Sequence, residues 1–184
     1  MDTGLIITII ILIIYLNIDF LFKNLISVKA TTNNEKYTVQ DNENKQENAN
    51  KLGIISNNIR ILQRHCSKVE TDPIMKRKIQ KLNKFNPNNI SQNIKNTDST
   101  SYSINKGEHI VLCLRSRDGE NMLHNINTIM YVVLHELAHV ITDSIGHTQE
   151  FKSNFKYLIN RAIECEVYIK EDVFKKYCGL QIKI

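Results

Sequence analysis

His135, Glu136 and His139 lie in the run Tyr131-Val-Val-Leu-His-Glu-Leu-Ala-His-Val-Ile141, and this stretch restricts the fold more than any other part of the chain. In an α-helix, residues four apart share a face one turn up, so the spacing aims both imidazoles at a single point with the Glu136 carboxylate beside them. Ile129, Val133, Leu134, Leu137, Ala138 and Ile141 cover most of the remaining circumference. That pattern predicts a helix buried in a small domain, with a polar site cut into its core.

The residue types suit a hydrolytic zinc site. Neutral imidazole holds Zn²⁺ at about 2.0–2.1 Å, and three protein ligands leave a fourth position for water. A carboxylate that does not ligate, here Glu136, can take that water's proton and return it to a leaving amine while the metal polarises the carbonyl. A third ligand is available in Asp143-Ser-Ile-Gly-His147. Gly146 can take a left-handed conformation that ends the helix and turns the chain back, which would present His147. Glu164 and Glu166, on a later helical stretch, are the rivals, as in the thermolysin-like arrangement. Neither stands in the Asn-Glu-x-x-Ser-Asp context of those enzymes, and the glycine favours His147.

His135-Glu-Leu-Ala-His139 followed by Gly146-His-Thr-Gln-Glu-Phe151 resembles the zinc-binding signature of the WLM and SprT-like metallopeptidases, in which a Gly-His-x-x-x-Phe element carries the third ligand. The resemblance implies His135, His139 and His147 as metal ligands and Glu136 as general base. The wider run from Thr100 to Ile182, with Lys106-Gly-Glu-His-Ile-Val-Leu-Cys-Leu-Arg115 and Tyr177-Cys-Gly179, is also similar to uncharacterised WLM-type proteins of large DNA viruses. Members of the resembled families act on proteins cross-linked to DNA, so the resemblance brings in nucleic acid as a second partner.

Gly4 to Phe22 is the most apolar run of the 184 residues and is predicted to be a transmembrane anchor, short but within the roughly 17–25 residues a span needs. A signal peptide cleaved after Val28-Lys-Ala30 is the alternative, and the lack of Lys or Arg ahead of the run speaks against it. Lys23 and Lys29 follow the span and place the remainder on the cytosolic side. Residues 24–51 are rich in Asn, Glu, Lys and Gln, with Tyr37 and Val39 their large apolar members from Ala30 on, and read as a flexible tether.

From Leu52 to Val69, Ile55, Ile59, Leu62 and Cys66 fall at helical spacing, and Asp72-Pro73 opens a second helix with Ile74, Ile79 and Leu82 inward. Residues 51–100 carry ten Lys/Arg against three Asp/Glu. The excess is read first as solvated helix faces and otherwise as a surface for anionic lipid or nucleic acid; without aromatic interleaving, nucleic acid is not favoured. Asn86 to Ser99 reads as a polar loop. Ser101–Ile104 and His109–Leu114 read as strands about an Asn105-Lys-Gly-Glu108 turn, either able to pair with an extended substrate. Asn125 or Asn127 can cap the active helix, and Thr148 to Glu166 reads as a helix burying Phe151, Phe155, Leu158 or Ile159, and Ala162. Leu180 and Ile182 suggest a last strand. Tyr168 and Tyr177 are minor candidates for an oxyanion hydroxyl, and Arg115 lies in a loop. The four cysteines are scattered and are expected to be reduced and mostly buried, with Cys165 and Cys178 the pair for a disulfide in a lumen.

The chain therefore reads as a small α+β zincin-like metallopeptidase domain behind an N-terminal transmembrane helix: an anchor over 1–23, a tether over 24–51 and a domain over 52–184 with a basic helical part, 52–99, and a catalytic part, 100–184. The expected function is membrane-anchored, Zn²⁺-dependent hydrolysis of protein or peptide substrates, with residues 4–22 in the membrane. The alternatives are a zinc-containing binding or virion-structural module that hydrolyses nothing, and a DNA–protein cross-link protease.

Overall fold

The computed structural model describes residues 4–12, 25–94 and 100–183. Strands β1 (Leu25–Lys29) and β2 (Lys36–Gln40) form an antiparallel hairpin with Leu25 opposite Gln40. Alternate residues of β2, Tyr37 and Val39, face inward and are buried together with Ala30 against helix α1 (Lys45–Val69). The approach is close enough to require a glycine, since a Cβ on Gly53 would stand 2.0 Å from Thr32 Oγ1.

This hairpin corrects the expectation of a flexible tether over 24–51, of which residue 24 lies outside the described residues. Judged by composition, the two large apolar side chains from Ala30 on cannot offset the entropy of ordering so many residues. Period-two placement puts both on one face, where Ala49, Leu52 and Ile55 of α1 complete the burial. The polar residues are used locally: Asn50 Oδ1 accepts from the Thr31 N–H at 2.8 Å, and Asn33 Nδ2 donates to the Tyr37 hydroxyl at 2.7 Å. Helix α1 accordingly starts at Lys45, ahead of the expected Leu52.

Along α1 the stripe Ile55, Ile59, Leu62 and Cys66 is buried as its spacing predicts. Helix α2 (Pro73–Lys84) is capped by Asp72, whose carboxylate accepts from the Met75 N–H at 2.9 Å. It buries Ile79 and Leu82, while Ile74 remains exposed. Strand β3 (Ile90–Gln92) falls inside the expected loop; three residues between asparagine-rich flanks carry no readable period. It pairs in parallel with β5 (His109–Leu112), and β4 (Tyr102–Ile104) pairs antiparallel on the other side, giving the order β3-β5-β4 with β4 at an edge. Helix α3 (Ile126–Ile141) follows Asn125, whose side chain accepts from the Asn127 N–H at 2.7 Å. Then come α4 (Gln149–Glu164) and a hairpin of β6 (Phe174–Tyr177) and β7 (Leu180–Lys183). One buried cluster runs from Ala30 to Cys178 and takes in residues of all four of these helices, so the domain is a mixed α+β unit.

The predicted anchor and the single-pass membrane localisation derived from it are overturned. Among the described residues no helix is long and apolar enough to cross a membrane. Residues 4–12 are helical and exposed, and at 1.5 Å per residue they reach about 14 Å, half of a bilayer core of about 30 Å; residues 13–22 lie outside the described residues. The membrane contact assigned to residues 4–22 and the cytosolic orientation fall with it.

The cysteines also depart from expectation. Cys113 and Cys178 form a disulfide spanning 65 residues, whereas Cys66 and Cys165 are free. All four were expected to be reduced, with Cys165 and Cys178 the pair only in a lumen; the bond that forms instead follows from the residue just after β5 lying against the C-terminal hairpin, where the Tyr177 hydroxyl donates to the Cys113 carbonyl. Closing a loop of this length restricts the unfolded chain, so Cys113→Ala with Cys178→Ala is expected to lower unfolding stability by about 2–4 kcal/mol in urea titrations. An unchanged unfolding midpoint would show that the bond adds nothing to the fold.

Candidate metal centre

Helix α3 is surrounded by apolar contacts except along the stripe that bears His135, Glu136 and His139. The two imidazoles stand one turn apart with ring centroids separated by 5.0 Å. The helix ends at Thr142, whose Oγ1 donates to the Ala138 carbonyl at 2.6 Å. Gly146 is thus not the helix cap expected of it, but it does take the left-handed conformation, at φ +82°, one residue before His147. His147 Nε2 lies 3.0 Å from His135 Nε2, and the ligand atoms of all three histidines lie within 4.8 Å of one another.

Phe151, on the first turn of α4, supports the cluster. Its ring centroid is 4.9, 4.3 and 4.7 Å from those of His135, His139 and His147, so one buried phenyl forms a floor beneath all three imidazoles. The Gly-His-x-x-x-Phe spacing therefore has a packing reason. Its loop is clamped by Glu150, whose carboxylate accepts from the Ser144 N–H at 3.1 Å and hydroxyl at 2.9 Å and from Lys78 Nζ at 3.0 Å. Lys78 and then Ser144 hold the Glu150 carboxyl at about 2, well below its ordinary range. Sequence reasoning missed this clamp; its one local signal was an acidic residue in the first turn of a helix.

Burial, then the neighbouring His139 and His147, lowers the His135 imidazole to about 4, and burial also lowers His139. Both are therefore neutral near pH 7, the form in which imidazole ligates. Nitrogens held about 2.0–2.1 Å from a tetrahedral ion stand about 3.3 Å apart, close to the His135–His147 separation. The donor set fits a zinc ion in protonation state and, for the His135–His147 pair, in spacing.

Glu136 is 6% exposed, and its burial pushes the carboxyl up to about 7 against an opposing backbone hydrogen bond from Ser103. Ser103 belongs to the edge strand β4, and its Oγ is buried without a hydrogen-bond partner among the described residues. Tyr102, Ser103, Lys106, Glu136 and the three histidines line a cleft of about 420 Å³. Edge strand, carboxylate and imidazoles thus face one space.

The other candidates lie elsewhere. Glu164 Oε2 is 3.0 Å from His65 Nε2 and accepts from Arg161 at 2.7 Å, and neither Glu164 nor Glu166 joins the histidine cluster. The Tyr177 hydroxyl donates to the Cys113 carbonyl at 2.7 Å and lies 2.8 Å from Ser101 Oγ, which commits it to holding the wall behind the cleft. Tyr168 packs with its ring centroid 6.2 Å from that of Tyr131. Arg115 donates to Asn48 and to the Asn121 carbonyl, each at 2.8 Å, and pairs with Glu47, so it ties loop to helix. His109 contacts Ser91 Oγ at 2.7 Å.

Comparison with known proteins adds ancestry to this geometry. Residues 55–178 match the model of the WLM domain family, a span that contains His135, Glu136, His139 and His147. The chain is 38% identical over 169 residues to the uncharacterised protein R325 of Acanthamoeba polyphaga mimivirus, covering 84% of this chain and 81% of that protein. It is 32% identical over 157 residues to the uncharacterised protein 136R of Invertebrate iridescent virus 6, covering 82% and 85%. Among solved structures, Wss1 from Saccharomyces cerevisiae superposes with a TM-score of 0.52 over 70% of this chain and 87% of that one, at 24% identity. At that identity the likeness is one of fold.

Proposed function

Because the chain belongs to the WLM domain family, and because three imidazoles and a buried carboxylate meet in one cleft, we propose that it is a zinc-dependent peptidase acting on protein substrates. The observation that carries this reading is the approach of His147 to His135 across the turn, with Glu136 beside them. A site meant only to stabilise the fold is usually closed by four protein ligands and has no use for a free carboxylate at its edge.

His135, His139 and His147 would hold the ion. Bound zinc supplies Lewis acidity, which polarises a scissile carbonyl and acidifies water. Glu136 acts as general base, accepting the proton of the attacking water and returning it to the leaving amine. Its burial suits both halves of that exchange, since a carboxyl near 7 takes and gives a proton at similar cost. The Ser103 N–H orients the carboxylate, and the edge of β4 offers backbone groups to an extended peptide beside it. The purified chain should carry about one zinc, lose cleavage of an unfolded protein on chelation and regain it with zinc. Equal cleavage by the chelated chain would refute the reading.

A second reading, a substrate protein held on nucleic acid, is favoured by one feature. Lys106 borders both the catalytic cleft and a neighbouring cavity of about 520 Å³ that Lys81 and Lys84 also line. Lys81 is paired with Asp143 there, which tempers the positive charge. Stimulation of cleavage by single-stranded DNA, lost with added salt, would favour this reading over the first.

A further inference from the structure

We infer that Lys78 and Glu150 are positioning residues for the third ligand, and that together they set how tightly the centre binds zinc. The inference rests on the metal reading above. It adds a residue of α2 to a centre otherwise built from α3, α4 and the loop between them.

The three imidazoles are not held alike. His135 and His139 take their places from the backbone of α3, whereas His147 stands outside any helix or strand. A ligating imidazole is usually fixed by a hydrogen bond from its other ring nitrogen. Among the described residues the His147 ring makes no hydrogen bond apart from the approach of Nε2 to His135. Phe151 gives the ring a floor, yet a ring-to-ring contact has no donor–acceptor axis to fix its direction. Apolar packing does not anchor the backbone either, since Ile145 is 86% exposed.

The loop is held by a polar network at its entry. The Glu150 carboxylate accepts from the Asp143 N–H at 3.3 Å, the Ser144 N–H at 3.1 Å and the Ser144 hydroxyl at 2.9 Å. Ser144 Oγ lies 2.6 Å from Thr148 Oγ1, which ties the start of the loop to the residue after His147. Lys78 Nζ donates to Glu150 at 3.0 Å and to Asn154 Oδ1 at 2.9 Å, and the buried Asn154 donates to Thr142 Oγ1 at 2.8 Å. Lys78 therefore joins the two side chains that grip Thr142, Asp143 and Ser144. Ile145 and Gly146 alone separate that grip from His147.

The Lys78 and Glu150 side chains are 16% and 31% exposed, so water screens the pair only in part. Without Lys78 the carboxylate loses its anchor on α2, and the loop gains freedom that zinc must remove on binding. The loss appears as weaker binding. The metal centre is thus incomplete within 100–184, the part expected to be catalytic, because Lys78 comes from the basic helical part.

Zinc affinity of the full chain, read by competition with a chromophoric chelator, tests this by sign. Through its field alone a lysine near a dication opposes binding, so removing Lys78 would tighten zinc. As a positioning residue its replacement, Lys78→Met, should weaken zinc by about tenfold, the lower end of what loss of an outer partner of a ligand costs, and Glu150→Gln should do the same. Lys84→Met removes the same charge from the same helix without breaking the bond to Glu150, and should not weaken binding. In a His147→Ala background the effects of Lys78→Met and Glu150→Gln should shrink to about twofold, because the ligand they position is gone. Should Lys78→Met fail to fold, Glu150→Gln and its behaviour in His147→Ala decide. Zinc held as tightly by the variants as by the wild type, or a tenfold loss that persists in His147→Ala, would overturn the inference and leave the peptidase reading standing; a wild-type chain that takes up no zinc would overturn both.

Discussion

Glu136→Gln should leave zinc content unchanged while cleavage of an unfolded protein falls by at least ~10²-fold. The amide matches the carboxylate in size and keeps an oxygen for the Ser103 N–H, so the helix and its imidazoles are not disturbed. It removes only the group able to take a proton. Because the wild-type carboxyl is buried and held near 7 by that burial, the neutral amide also costs the fold little. Zinc content by elemental analysis and a progress curve on the same preparation separate the outcomes. Retained zinc with retained cleavage would remove Glu136 from the chemistry and leave a metal-containing binding module as the better account.

His147→Ala should strip the metal, lowering zinc affinity by more than ~10²-fold, because loss of even an outer partner of a ligand costs about 10–100-fold and this change removes a nitrogen donor itself. The fold should survive, since His147 is exposed on a loop and Phe151 continues to pack beneath His135 and His139. Glu164→Ala provides the contrast. Glu164 is engaged by His65 and Arg161, so its loss should leave zinc in place. Competition with a chromophoric chelator reads both variants on one scale. If Glu164→Ala released zinc and His147→Ala retained it, the third ligand would have been misassigned.

The parts of the chain that were legible in sequence are those whose geometry is complete within a few turns of backbone. His135 and His139 share a face because four residues make about one helical turn, and Asp72 and Asn125 cap their helices through bonds that reach two or three residues forward. Asn105 to Glu108 turn between β4 and β5, and Gly146 takes its left-handed conformation before His147, both within a handful of residues. In each case the local sequence contains both partners of the interaction.

The errors have the opposite character. The segment 24–51 looked unstructured because the surface that orders Tyr37 and Val39 belongs to α1, including residues beyond the segment itself. The apolar run from Gly4 matched the length of a membrane span by counting residues, yet among the described residues no helix is long and apolar enough to cross a membrane. The cysteines were expected to be reduced, with Cys165 and Cys178 the pair only in a lumen, yet Cys178 bonds to a residue 65 positions away.

The sequence by itself determined the helix that carries the histidines, their shared face, the carboxylate beside them and the turn that could return a third. Only the tertiary structure decided that Phe151 lies beneath all three rings, that Lys78 and Glu150 fix the loop across 72 residues of chain, and that burial raises Glu136 toward neutrality. The reason is physical: hydrogen-bond periodicity acts along the backbone and is written in residue spacing, whereas burial and charge pairing depend on which distant surfaces close upon one another, and no local spacing records that.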